Sequence, residues 1–446
     1  KYTYSIPRWT NSSLPLDWLP RNNRSFHKPN SIKTLNGWGA VCQTQIKINT
    51  HNMKVPRIIR KSPLYQAIRK TSWGKQHLIR TGKLVSRDEL IQIHAEGTAL
   101  RLDASFKTKP VVGIVYPEEL IPGHVFPKAS AYLYERYCKT NGIKYQIYDI
   151  HASDWLDKAK ELDVILWHVD STPSALYEAE SKIYILEKIL KKTCFPSYHE
   201  IWQYEDKCRA YYLYKVYNLP CIPTLSSNSR EESIKLSETI NYPVIVKTRT
   251  GAGSFGVKKF DNKAQLRRHV KKVFSPKGAH TLYSYERQKD YILLQEFIDD
   301  ASYDLRVMLV GNKAYGYYRY PNEGDFRASG EGNEDHSRPT PIDVLREAIS
   351  VREALGARVL GVDFLYSDKY KQHLIIEASI FNEIDPPSIE TKLGGVPGFY
   401  DISDPNNIHY EEGAFWFPEL VAELIIKQWI IQNTQQTKQV TNKEQE

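Results

Sequence analysis

VIVKTRTGAGSFGVKKF, running from Val244 to Phe260, sets Lys247 at the end of an apolar strand and ahead of a loop with Gly251, Gly253, Ser254 and Gly256. Successive glycines let backbone N–H groups converge on phosphate oxygens, and a lysine adds a compact positive charge. Taken alone, a glycine-rich turn with no ligand explains the pattern equally well. A protein-kinase loop is excluded, because there the lysine follows the glycines and H-R-D and D-F-G motifs accompany it; neither occurs here.

Three further elements follow downstream. LLQEFID, Leu293 to Asp299, is an apolar strand leading into a polar bend. Backbone groups around Gln295, Glu296, Phe297 and Ile298 can meet an adenine edge there, and Asp304 of Asp304-Leu305-Arg306 can accept a ribose hydroxyl. EGDFRASGEGN, Glu323 to Asn333, is a loop whose Arg327 can hold phosphoryl oxygens in a bidentate grip. Asp363 in GVDFLY and Glu377 in LIIEAS lie on two strands joined by the short turn Ser367 to Tyr370. Neighbouring antiparallel strands bring such carboxylates within reach of one Mg2+, a cation that takes hard oxygen ligands.

Around these motifs the organisation is mixed. From Pro110 to about residue 200, apolar runs (Val111–Tyr116, Tyr145–Ile150, Val164–Val169) alternate with helical segments near Ala129–Thr140, Asp154 and Ser174–Lys191. That order predicts a parallel α/β domain without a G-x-G-x-x-G dinucleotide site. Residues 201–432 predict an antiparallel α+β domain closed by a helix from Glu411 to Gln432. The polar tail 433–446 is expected to be disordered.

A chain of 446 residues predicts two or three domains. The net charge of +9 is uneven: residues 1–109 hold 20 basic and 5 acidic residues, net +15, and the remainder 41 against 47, net −6. This basic N-terminal region, of unassigned fold, includes a basic amphipathic stretch, Ser62 to Gly82. It would attract an anionic polymer or a membrane surface; without a recognised module, nucleic acid is disfavoured. Five scattered cysteines (Cys42, Cys138, Cys194, Cys208, Cys221) suggest neither disulfide framework nor zinc site. No run of eighteen apolar residues and no signal peptide occurs, so the expected location is cytoplasmic, with peripheral membrane contact allowed. The chain opens on Lys1, which leaves room for a segment ahead of it.

The order Asp206-Lys207, Lys247 with its glycine loop, Gln295 to Ile298, Asp304-x-Arg306, Asp325-Phe326-Arg327, Asp363 and Glu377 resembles the ATP-grasp superfamily, in particular its RimK-like branch. Tyr303–Val307, Asp325–Asn333 and Gly398–Asp401 are similar to patterns in ATP-grasp proteins encoded with bacterial surface-polysaccharide genes. The resemblance spans about residues 110–430. It implies a pre-ATP-grasp α/β domain at 110–200, followed by two α+β subdomains that clasp ATP. It implies that Lys207 and Lys247 bind the α and β phosphates under the loop Gly251–Gly256, with Glu296 and Ile298 at adenine and Asp304 near ribose. Arg306 and Arg327 would stabilise the transferred phosphoryl group, and Asp363 and Glu377 would hold Mg2+, which Mn2+ can replace. Where RimK-like ligases have Asn two residues after the metal glutamate, this chain has Ser379; a second ion would be weaker, water-bridged or helped by Asn382. The implied activity is ATP-dependent ligation of a carboxylate to an amine through an acyl phosphate, with an acceptor on a surface glycan. The alternatives are an ATP-grasp phosphotransferase acting on a hydroxyl, and a non-catalytic ATP- or glycan-binding protein.

Overall fold

The computed structural model describes residues 85–86, 97–117, 124–125, 130–251, 256–328, 333–381 and 392–443. Gly253, Ser254, Asn382, the stretch Ser62–Gly82 and nearly all of the basic N-terminal region lie outside the described residues.

The first sheet is parallel, in the order Tyr145–Ile147, Val112–Val115, Val164–Trp167, Thr193–Phe195. Its two central strands, VGIV and VILW, are buried along their whole length. That is why they read as unbroken apolar runs: helices over both faces of a parallel sheet leave no face for water. The helices Ser130–Thr140, Trp155–Ala159 and Pro173–Tyr184 make the crossovers, and the last runs into a π-helical turn, Ile185–Ile189, where one continuous helix was expected. The fourth strand, Thr193–Phe195, was not foreseen. Leu100, ahead of the expected boundary at residue 109, is already buried with Val112 and Ile114.

Two antiparallel sheets follow. The smaller has the order Thr224–Ser227, Ile292–Glu296, Val244–Lys247, Val257–Phe260. Val244, Val246, Ile292 and Leu294 pack against Leu266 and Val270 of helix Lys263–Val273. The larger runs Gln372–Ser379, Val359–Ser367, Asp304–Val310, Lys313–Arg319, Val396–Asp401, with His409–Glu412 paired to the last strand.

Strand alternation divides this large sheet. Leu305, Val307 and Leu309 point to the core that holds Val344, Leu345 and Ala348 of helix Ile342–Ala354. The opposite face is split along its length. Met308, Val310, Tyr315, Tyr317 and Val359 share a core with Phe417, Leu420, Val421 and Ile425 of the last helix. Further along the same strands, at positions of the same parity, stand Asp304, Arg306, Arg319 and Asp363. One sheet face is therefore oily under a helix at one end and charged at the other, and the charged end is the floor of the site.

The C-terminal expectations need correction. His409–Glu412 is a strand, and the helix starts at Phe417, with Pro418 in its first turn, where proline's missing N–H costs nothing. It continues to Lys443, so residues 433–443 are helical and not the disordered tail expected. Arg136 clamps this helix to Ser130–Thr140 through a bidentate ion pair with the fully buried Glu419 (2.7 and 2.8 Å).

Candidate active site

A cleft of about 550 Å³ opens between the small and the large antiparallel sheets. Its lining contains Lys207, Lys247, Gly251, Gln295, Glu296, Phe297, Ile298, Asp304, Arg306, Arg327, Asp363, Glu377 and Ser379, brought together from positions far apart in the chain. Gly256, although described, is not part of the lining.

Lys207 is the first residue of helix Lys207–Val216, whose N-cap, Asp206, accepts from the backbone of Cys208 and Arg209. Its ammonium donates to the Gly251 carbonyl at 2.7 Å and pairs with Glu377 Oε1 at 2.9 Å. Burial works against this charge, but Glu377 and Glu205 prevail and the lysine's pKa is raised. Lys247, at the end of its strand, is buried with its ammonium 3.5 Å from the Ile376 carbonyl. Burial, helped by the neighbouring charge of Lys207 and only partly offset by Glu377 and Asp363, brings it down to about 8. The two lysines expected at the phosphates thus differ: one is locked into its charged form and the other is poised to lose its proton.

On the large sheet, register places the charges in pairs. Arg306 stands opposite Asp363, Asp304 opposite Arg319, and Asp363 opposite Glu377 beside an irregularity in the pairing. Arg306 grips Asp363 with Nε and a terminal nitrogen at 2.7 and 2.8 Å. Arg319 reaches Asp363 at 2.8 Å and donates its Nε to Asp304. Burial would push Asp363 up, yet Arg306 and Arg319 hold it well below the carboxylate range. Asp304 is raised to about 6, since burial and the nearby Asp363 outweigh Arg319. Asp304, expected at a ribose, lines the cleft with its carboxylate engaged by Arg319. Arg327 lies on the loop at the cleft mouth, held by a bidentate pair with Asp325 (3.0 and 2.7 Å).

At the far end, Phe297 and Phe326 meet edge to face, ring centres 5.5 Å apart, and the Lys259 ammonium lies 3.9 Å over Phe297. The Glu296 backbone N–H donates to Pro223, while its carboxylate turns to Lys369 and Tyr370 (2.5 and 2.6 Å). With its side chain committed there, Glu296 is left to meet a base through its backbone.

Sequence reasoning missed four of these residues. Arg319 ends a strand that reads only as tyrosine-rich. Lys369 and Tyr370 read as a plain turn. Glu205 directly precedes Asp206-Lys207, and that acidic doublet beside a lysine was the available signal. Its Oε2 is buried without a hydrogen-bond partner, 3.9 Å from Lys207, and burial followed by Glu377 against the pull of Lys207 raises its pKa to about 7. Its backbone is left-handed at φ 55°, which is uncommon for a residue with a Cβ.

The family description that matches residues 205–385 is RimK-like ATP-grasp domain. This part of the chain is a RimK-like ATP-grasp domain. ATP with Mg2+ is the cofactor pair of that domain type. The chain is 28% identical over 178 residues to alpha-aminoadipate–LysW ligase LysX of Saccharolobus solfataricus, covering 39% of this chain and 61% of that one. It is 22% identical over 268 residues to the LysX of Sulfurisphaera tokodaii, covering 59% and 83%. The chain thus spans about three fifths of the first relative. Among solved structures it is similar to D-cycloserine synthetase DcsG, with TM-score 0.46, 13% identity and coverage of 71% and 99%. A RimK domain protein ATP-grasp from Sphaerobacter thermophilus gives TM-score 0.40, 13% identity and coverage of 60% and 90%.

The residues of the ATP-grasp domain suit Mg2+. Glu377 and Asp363 are hard oxygen donors directly opposite each other on paired strands, and Ser379 adds a hydroxyl on the same cleft wall. The Glu377 side chain keeps 31% of its surface exposed and has one oxygen beyond its pair with Lys207.

Proposed function

We propose that the chain is an ATP-dependent carboxylate–amine ligase that works through an acyl phosphate. The observation that carries this reading is the convergence on one cleft of two lysines, two arginines and two facing carboxylates around an aromatic slot. An oxygen of the acceptor carboxylate bonds to the γ phosphorus as the bridging P–O bond to ADP breaks. The amine nitrogen then bonds to the acyl carbon as the C–O bond to phosphate breaks, and the ammonium proton leaves with phosphate or solvent. Both steps gather negative charge on oxygen, so fixed cations and exclusion of water supply the acceleration, and no nucleophilic side chain is needed.

In this reading Lys207 and Lys247 hold phosphate oxygens and the Phe297–Phe326 pair flanks adenine. Arg306, oriented by its two-point grip on Asp363, faces the transferred phosphoryl group, and Arg327 approaches it from the mouth loop. Asp363 and Glu377, with Ser379, would hold Mg2+, which supplies charge neutralisation between the phosphates. The names of the LysX relatives describe a ligase acting on an amino acid, in keeping with an amino acid as one of the two substrates. The finer reading, an acceptor carboxylate on a surface glycan, is supported by the Tyr303–Val307, Asp325–Asn333 and Gly398–Asp401 patterns.

The test is ADP release from Mg-ATP with amino acids and uronic-acid glycans supplied singly and in pairs, with mass spectrometry of the products. ADP formed only with a carboxylate–amine pair, and a product lighter than its parts by one water, is the expected result. A product heavier by one phosphate overturns the ligase in favour of a phosphotransferase, and no turnover with any pair overturns the acceptor assignment.

A further inference from the structure

One motif finds no use in the cleft. Asp401 of Gly398-Phe-Tyr-Asp401 sits on strand Val396–Asp401 of the large sheet, directly across from His409 of the strand beyond it, and Glu411 follows two residues along the same strand as His409. We propose that Asp401, His409 and Glu411 form a divalent-cation site, suited to Zn2+, which pins strand His409–Glu412 to strand Val396–Asp401. One imidazole and two carboxylates are a ligand set that Zn2+ accepts, with water completing the tetrahedron. One donor atom from each residue lies within 4.8 Å of the others. Tetrahedral zinc with bonds of about 2 Å wants donors about 3.3 Å apart, so exposed side chains need only small adjustments.

Two donors are oriented from outside the triad. His409 Nδ1 lies 3.0 Å from the Asn407 carbonyl, which can only accept, so this nitrogen carries the hydrogen. Nε2 is thereby directed at Glu411 Oε1, 3.0 Å away. A backbone carbonyl on the other ring nitrogen is how protein imidazoles are commonly oriented toward a metal. Asp401 Oδ1 accepts the Ser403 backbone N–H at 2.7 Å, which leaves Oδ2 for a cation. Lys313, across the sheet from Asp401 on its other side, has its ammonium over the Phe399 ring at 4.0 Å.

The motif glycine fits the same account. A Cβ on Gly398 would come within 2.1 Å of the Glu411 carbonyl oxygen and 2.7 Å of the Tyr410 ring. Glycine thus permits the close approach that delivers His409 and Glu411, and Asp401 meets them there.

The site is independent of the proposed ligase activity and is tested without turnover, by calorimetric titration of the full chain with ZnCl2 at pH 7.5. The wild type and Glu377→Gln, which disables the cleft site, are compared with His409→Ala and Asp401→Asn, all with matching circular dichroism. A zinc-binding component that survives Glu377→Gln and weakens at least tenfold in both other variants is expected. Co2+ should give a visible absorption band that His409→Ala removes. Equal zinc binding by wild type and His409→Ala would show that His409 and Glu411 are an ordinary imidazolium–carboxylate pair, and would overturn the proposal. If Asp401→Asn misfolds, His409→Ala decides alone.

Discussion

Lys247 carries opposite pH signatures for stability and for nucleotide binding. Burial takes it from an ordinary 10.5 to about 8, a difference of about 3 kcal/mol against the charged form. Below about pH 8 the folded and unfolded chains both carry the proton, and the fold bears that cost in full. Between about 8 and 10.5 the unfolded chain keeps the proton while the folded chain has lost it, so the contribution of Lys247 to stability improves as pH rises. Phosphate binding goes the other way, because deprotonation removes a charged hydrogen bond contributing about 1.5–3 kcal/mol, or roughly 10- to 100-fold in affinity. The assay is calorimetric titration with ADP from pH 7.5 to 9.5, where its terminal phosphate, with a second pKa of about 6, is already ionised, beside urea midpoints at the same pH values. In the wild type, ADP affinity should fall with an apparent pKa near 8; in Lys247→Met it should be weak throughout, and its stability should lack the alkaline gain. A wild-type ADP affinity that is flat to pH 9.5, or the same pH slope in Lys247→Met, would refute both the burial argument and the phosphate role of Lys247.

Three other expectations follow from the geometry. Glu377→Gln should lower turnover at least a thousandfold in the ligation assay and cost about 1.5–3 kcal/mol in urea stability, since the buried Lys207 loses its charged partner at 2.9 Å and keeps only the more distant Glu205. Arg319→Met should destabilise by about 3–5 kcal/mol, read from the urea midpoint, because Asp304 and Asp363 are left buried with one cation fewer. Gly256→Ala should cost about 1–3 kcal/mol and weaken ADP binding: φ is +83° there, and a Cβ would lie 1.9 Å from Thr248 Oγ1. Unchanged stability in that variant would refute both the backbone strain and the clash with Thr248 at this position.

Much of the core was legible because its pattern is local. Val112–Val115 and Val164–Trp167 are unbroken apolar runs. The order of Lys247, Glu296, Arg306, Asp363 and Glu377 pointed to one cleft before any geometry was known. Pairing register, however, is written between strands and is invisible in one dimension. Hence Arg306 and Asp363 were read as acting apart when they grip each other, and Arg319 was overlooked although it joins two carboxylates. The misplaced start of the last helix has a similar cause. Tyr410-Glu-Glu resembles a helical first turn until its partner strand Val396–Asp401 is seen, and Pro418 was the local sign of the true start. Past Gln432 the composition offers no apolar stripe, but extending a helix already anchored costs far less than starting one.

The last helix also bears on the order of events during synthesis. Phe417, Leu420, Val421 and Ile425 complete the core that holds Val112, Ile114, Tyr137 and Leu166 of the first domain. The parallel sheet is complete more than two hundred residues before the helix that covers it, so the nascent first domain must wait with an open apolar flank. A chain ended at residue 385, the limit of the matched ATP-grasp domain, would keep every cleft residue named above and still lack that cover. Such a fragment should bind a hydrophobic dye and aggregate, and adding residues 386–443 back to the same chain should cure both.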